Sequence, residues 1–161
     1  MFPIFSFSLY HQTRLKMEIL DDVIFYHIEK AIKSYRQFAQ SRIKLAGYTM
    51  TIDQWLILKV LIDEPDIQLN ELAVKVFKDS ASVTRIIILL EKGKFIKKSV
   101  HQSDKRRILL KVTAKGQKAM EDVSCIVLAN RRHALNGITK DSIDATIATL
   151  KIISGNCIAK A

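Results

Sequence analysis

Glycine and proline are sparse in this 161-residue chain, five and two residues respectively. That scarcity disfavours a fold of many short strands and tight turns, and favours long helices. Cysteine occurs only twice, at Cys125 and Cys157. A disulfide framework is therefore not expected, and the count suits a reducing, cytoplasmic setting. No apolar run approaches the ~20 residues that span a bilayer. The opening "MFPIFSFSLYHQTRLK" is apolar, but it has no basic segment ahead of it and no small-residue cleavage site, so it does not read as a signal peptide. Residues 1–17 are expected to be either a flexible extension or the product of an upstream start codon wrongly chosen, with Met17 at the start of the helical pattern that follows.

Catalytic and metal-binding patterns are missing as well. His11, His27, His101 and His133 are dispersed, with no pair at i, i+4 and no Cys–His cluster. There is no glycine-rich phosphate loop, no Gly-x-Ser-x-Gly elbow and no paired-carboxylate motif. Neither an enzyme nor a metal or cofactor protein is expected. Acidic charge is also short, with 16 Asp and Glu against 26 Lys and Arg, a net charge of +10. An excess of that size suits a polyanionic partner. Ten lysines and arginines lie between Lys92 and Lys118, against Asp104 alone. The imbalance is local, and it falls on a predicted hairpin rather than on an amphipathic helix, which argues against a membrane surface.

What is present is helical periodicity. Ile19, Val23, Tyr26, Ile32, Tyr35, Ala39 and Ile43 recur at helix spacing until Gly47. Thr51 with Gln54 forms a capping box, and Trp55, Leu58 and Leu61 share the face of the next helix, which Pro65 closes. Leu69, Leu72, Ala73 and Val76 mark a short amphipathic helix. Asp79 or Ser80 caps another, with Val83, Ile87 and Leu90 inward and Gly93 at its end. Two alternating stretches follow, Ile96–Lys98–Val100 and Ile108–Leu110–Val112, joined by the charged segment Asp104-Lys105-Arg106-Arg107. They read as a β-hairpin. Thr113 caps a long helix carrying Ala119, Met120, Val123, Val127 and Ala134, and Thr139 caps a last one carrying Ile143, Ile147, Leu150 and Ile153. The fold class is mainly α with a small β-hairpin wing, a winged helix-turn-helix core at about 51–112. Ser80, Ser82, Thr84 and Arg85, at the front of the second helix of the motif, are the short polar groups and guanidinium suited to DNA. A helix N-terminus there would also favour phosphate.

The stretches "LNELAVKV", "SASVTRIIILLEKGKFIKK" and above all "DKRRILLKVTAKG" resemble the MarR family of bacterial transcription regulators. The last matches the family's wing signature through Asp104, Arg106, Val112, Thr113 and Gly116. The resemblance runs from about Glu18 to the C-terminus, and 18–161 is expected to be one MarR-type domain. It implies a homodimer, with helices at about 18–46 and 113–159 forming the dimer region, and Ile19, Val23, Ile143, Ile147, Leu150 and Ile153 near its seam. It implies double-stranded DNA as partner, on a pseudo-palindromic operator, and a ligand-responsive repressor. Arg106 would enter the minor groove from the wing tip, with Asp104 holding the arginine or the loop. Lys97, Lys98, Lys105 and Arg107 would attract phosphate.

The family's ligand crevice, between dimer region and winged core, points to Tyr35, Arg36, Phe38 and Trp55 as lining for a small aromatic or anionic effector, although core packing is an equal role for Trp55. Both cysteines are expected to be small apolar fillers, which favours a ligand over oxidation as signal. Three departures from the family stand out. Gly93-Lys94 reverses a common Lys-Gly order, Ile88 and Leu89 replace polar residues, and Gln68 replaces a Thr or Ser cap. The apolar pair leaves open an alternative, a winged-fold module whose helix docks on a protein.

Overall fold

The computed structural model describes residues 19–100 and 108–158. Asp104, Lys105, Arg106 and Arg107, and the extension at 1–17, lie outside the described residues. The chain divides into two compact units between Gln37 and Phe38.

In the smaller unit a 3-10 turn, Leu20–Asp22, leads into α1, which spans Ile24–Leu45. The side chain of His27 bonds the carbonyl of Asp21 at 2.7 Å. Glu29 and Lys33 pair at i, i+4, and this lysine holds the Glu29 carboxyl below its ordinary range. Ile19, Leu20, Ile24, Phe25 and Ile32 are exposed.

The larger unit begins with the last turns of α1 and continues through α2 (Ile52–Asp63), α3 (Leu69–Lys75), α4 (Ser80–Lys92), β1 (Ile96–Val100), β2 (Ile108–Val112), α5 (Ala114–Ala134) and α6 (Lys140–Cys157). The predicted capping box forms, with Thr51 and Gln54 exchanging hydrogen bonds at the start of α2. Gln40 ties α1 to that start. Its amide donates to the Met50 carbonyl, and its oxygen accepts from the Ile52 N–H. The core gathers Ile43, Ile57, Leu58, Leu72, Val83, Leu90, Ile96 and Val123, all nearly or fully buried. Each contributes roughly 1.5–3 kcal/mol by leaving water. As expected, α4 turns Val83, Ile87 and Leu90 inward.

The hairpin is antiparallel, with Ile96 opposite Val112 and Lys97 opposite Lys111. Its base is locked to α5. The Thr113 hydroxyl donates toward the carbonyls of Lys94 and Phe95 and accepts the Gly116 N–H, capping α5. A Cβ on Gly116 would lie 2.1 Å from the Phe95 carbonyl oxygen, so only glycine permits this approach. Val112, Thr113 and Gly116 of the wing signature thus do structural work.

Gly93 ends α4 as expected, and the reversed Gly-Lys order shows in the turn: the left-handed residue is Lys94, at φ 61°, while Gly93 stays right-handed at φ −73°. Gly93 serves a different need: a Cβ there would meet the Phe95 ring at 2.7 Å. Gln68 does precede α3, and Glu71 accepts its backbone N–H, which replaces part of the missing Thr or Ser cap. The two cysteines are not fillers, for both are exposed. Cys125 falls off the buried stripe of α5, which is Met120, Val123, Val127 and Asn130, and α6 buries none of its residues. Of β1 only Ile96 is buried, and Ile108 of β2 is exposed.

Candidate nucleic-acid interface

The turn between α3 and α4 is tight, and Phe77 adopts a left-handed φ of 55° within it while standing 92% exposed. It is closed on one side by Lys78, whose ammonium pairs with Asp53 of α2 at 3.0 Å. Asp79 then caps α4. Its carboxylate accepts the Ser82 N–H and the Ser82 hydroxyl, each at 2.7 Å. These bonds, the hydroxyl's first, lower the Asp79 pKa below its ordinary value. This corrects the expectation that the α4 N-terminus is open to phosphate, because an ionised carboxylate already occupies it.

Ser80, Thr84 and Arg85 are exposed and Ser82 is half-buried. The Thr84 hydroxyl donates to the Ser80 carbonyl at 2.7 Å. The hydroxyl protons of Ser82 and Thr84 are therefore spent within the helix and its cap, leaving their oxygens as acceptors. Sequence reasoning missed this, although Ser or Thr bonding the carbonyl four residues back is common in helices. Opposite the buried stripe, Ala81, Arg85, Ile88 and Lys92 fall at i, i+4, i+7 and i+11 and are all exposed.

On the hairpin, Lys97 and Lys98 are exposed. Lys98 pairs with Glu91 of α4 at 2.7 Å, which ties wing to helix and offsets part of its charge. Lys97 has the like-charged Lys111 as its cross-strand neighbour. Lys115 donates to the Gly93 carbonyl at 2.9 Å and lies over the Phe95 ring.

The candidate ligand residues separate. Tyr35 and Arg36 belong to the smaller unit, and Phe38 and Trp55 to the larger. Trp55 is 8% exposed and part of the core. Its indole N–H donates to the Ser124 hydroxyl at 3.3 Å, and the Arg131 guanidinium lies 5.9 Å from its ring centre. Phe38 stacks on His133 with centroids 5.0 Å apart. Asn130, on the same α5 stripe, is 2% exposed, and its amide nitrogen has no hydrogen-bond partner among the described residues. Arg131, His133 and Asn130 escaped the sequence reading because nothing local marks them. They matter through what α1 and α2 bring to them.

Among the described residues no group of three or more His, Cys, Asp or Glu could hold a metal, and no helix is long and apolar enough to cross a membrane. Two short helices joined by a tight turn and followed by a basic hairpin define a winged helix-turn-helix protein. The profile of the family "Transcriptional regulator SarA/Rot" matches residues 39–123, more than half of the chain. The chain belongs to that family of transcriptional regulators. It is similar to the HTH-type transcriptional regulator TtmR of Methylorubrum extorquens, 27% identical over 106 residues, which cover 66% of this chain and about half, 52%, of that relative. Among solved structures it shares its fold with BpsR of Bordetella bronchiseptica, whose DNA binding is regulated by 6-hydroxynicotinic acid, at TM-score 0.77 and 19% identity over 85% of this chain and 96% of that one. A MarR-family regulator from Silicibacter pomeroyi matches at TM-score 0.71 and 15% identity, over 89% and 96%. The family and these relatives are regulators, not enzymes.

Proposed function

We propose that the protein is a sequence-specific, DNA-binding transcriptional regulator that acts in the cytoplasm as a homodimer on a pseudo-palindromic operator, as a repressor released by a small aromatic or anionic effector. The observation that carries this reading is the outward stripe of α4, with Arg85 and Lys92, standing beside a hairpin that presents Lys97 and Lys111 without a neighbouring acid on that strand pair. A helix of this size fits the major groove, and paired lysines beside it suit the flanking phosphates. Asp104, Lys105, Arg106 and Arg107 fall between the two strands in sequence, and Arg106 is proposed for the minor groove.

Dimerisation is supported by apolar surface left uncovered. α6 exposes Ile147, Leu150 and Ile152, and the smaller unit exposes Ile24, Phe25 and Ile32. A second copy is the economical cover for such faces. Sedimentation at micromolar concentration checks it, with a dimer expected and an 18.4 kDa monomer contradicting it.

Effector binding is supported by Phe38 and Trp55, which lie beside His133 and Arg131, an aromatic and cationic pairing suited to an aromatic acid. The test of the whole reading is a gel shift of the full-length protein on the DNA upstream of its own gene. A complex that resists unrelated competitor DNA is expected. Equal competition by unrelated DNA overturns sequence-specific regulation.

A further inference from the structure

The outward face of α4 is unusual for a surface that meets a polyanion. Ile88 is 51% and Leu89 55% exposed, and Ile88 lies on the same stripe as Arg85 and Lys92. Among the described residues nothing packs over either side chain enough to bury it. Leu89 flanks the stripe on the side of Ser82, and Thr84 flanks it on the side of Ile88. The polar atoms nearest them are muted, because the Ser82 and Thr84 hydroxyl protons are bound within α4 and its cap. This face therefore offers one guanidinium, one ammonium and a set of aliphatic groups.

We infer that α4 reads pyrimidine C5-methyl groups of thymine in the major groove, with Ile88 as a specificity-determining residue and Leu89 beside it. The inference rests on the DNA-binding reading above and goes beyond it by naming what is read. Continuity with the charged stripe selects the occupant. Arg85 and Lys92 bracket Ile88 along the helix, so any polyanion held by those cations brings its own surface onto Ile88. Phosphates would leave Ile88 desolvated against charge, which is unfavourable. The thymine methyl is the apolar group that the major groove presents. Three residues of helix rise about 4.5 Å, so Ile88 stands roughly one base-pair step along from Arg85. A guanidinium suited to guanine and a methyl contact on the adjacent pair would then be read by one helix.

The test takes the duplex that the full-length protein enriches from a synthetic random-sequence library, and a copy in which every thymine is uracil. The two differ only in the C5-methyl groups. Each methyl buried is worth about fourfold in affinity. Wild type should bind the uracil copy about tenfold or more weakly at equal salt. Ile88→Ala should bind the thymine duplex more weakly, bind the uracil copy like wild type, and so collapse the ratio toward one. Ile88 is exposed, and alanine favours helix, so the variant should fold; circular dichroism checks it. Equal binding of both copies by wild type overturns the inference while leaving DNA binding intact. A full thymine preference retained in Ile88→Ala also overturns it, as does a variant whose only change is a lost oligomer in sedimentation. Failure to enrich any duplex overturns the DNA-binding reading beneath it.

Discussion

Lys97 and Lys111 stand directly opposite each other in the β1–β2 register, and both side chains are exposed. Like charges placed this way work against the hairpin. A phosphate set between them would turn that repulsion into attraction, so the pair costs stability in the free protein and gains it on a polyanion. Lys97→Thr should raise the melting temperature at low ionic strength, by an amount equivalent to roughly 0.2–1 kcal/mol, and the gain should shrink as salt screens the pair. The same variant should bind DNA more weakly. Identical melting at low salt would remove the repulsion from the account.

The hairpin base sets a second expectation. Gly116→Ala places a Cβ against the Phe95 carbonyl, a backbone atom that cannot turn aside. Overpacking of this kind costs typically 1–3 kcal/mol and should loosen the wing against α5. Lys94→Gly should act oppositely. A left-handed lysine costs about 1–2 kcal/mol, part of which glycine gives back through its looser unfolded chain, leaving a net gain of under ~1 kcal/mol. Denaturant midpoints for the two variants should move in opposite directions; movement in the same direction would contradict the assigned geometry.

Asp79 makes the front of α4 sensitive to acid. Its folded pKa lies below the ordinary 3.8 because the Ser82 hydroxyl and N–H both bond the carboxylate. A lowered folded value means that its contribution is complete above the unfolded value and is lost as pH falls through the folded one. Asp79→Ala should therefore melt below wild type at neutral pH, and the gap should close in acid beneath the ordinary carboxylate range. Melting curves from neutral to acid pH read this directly. A gap that is constant with pH would mean that the cap does not depend on ionisation.

For the effector, a panel of phenolic carboxylates and, in parallel, peroxide should be offered to the protein–DNA complex. Release by an aromatic acid is expected, weakened in Arg131→Ala, since Arg131 is the cation over Trp55. Both cysteines are exposed, so peroxide can reach them. Release by peroxide that vanishes in the Cys125→Ser, Cys157→Ser double variant would make oxidation the signal instead.

Much of the fold was legible because periodicity and caps are local. Val83, Ile87 and Leu90 could be placed inward from spacing alone, and the Thr51–Gln54 box and the Thr113 cap from residue type. The reversed Gly93-Lys94 order marked an altered turn, but not that Lys94 takes the left-handed φ while Gly93 lies against the Phe95 ring. Exposure of Cys125 and Cys157 was missed for a related reason. An apolar neighbour in sequence does not say which helix face has something to pack against, and α6 buries none of its residues. At the candidate site, residue types marked α4, the wing and Asp79 as one of two candidate caps, but hydroxyl protons turned inward appear only in three dimensions. That is why the apolar half of the α4 face gained weight and the serine half lost it.

The central claim is that α4 and its wing hold DNA through phosphates. Its most direct test is the affinity of the full-length protein for the DNA upstream of its own gene, measured across a series of salt concentrations. Each neutralised phosphate contributes a slope of about −0.9 in log K against log salt. Wild type should show a slope several times that value, shallower by about one unit for each phosphate-contacting lysine removed, as in Lys97→Thr. A flat dependence between low and physiological salt would contradict it.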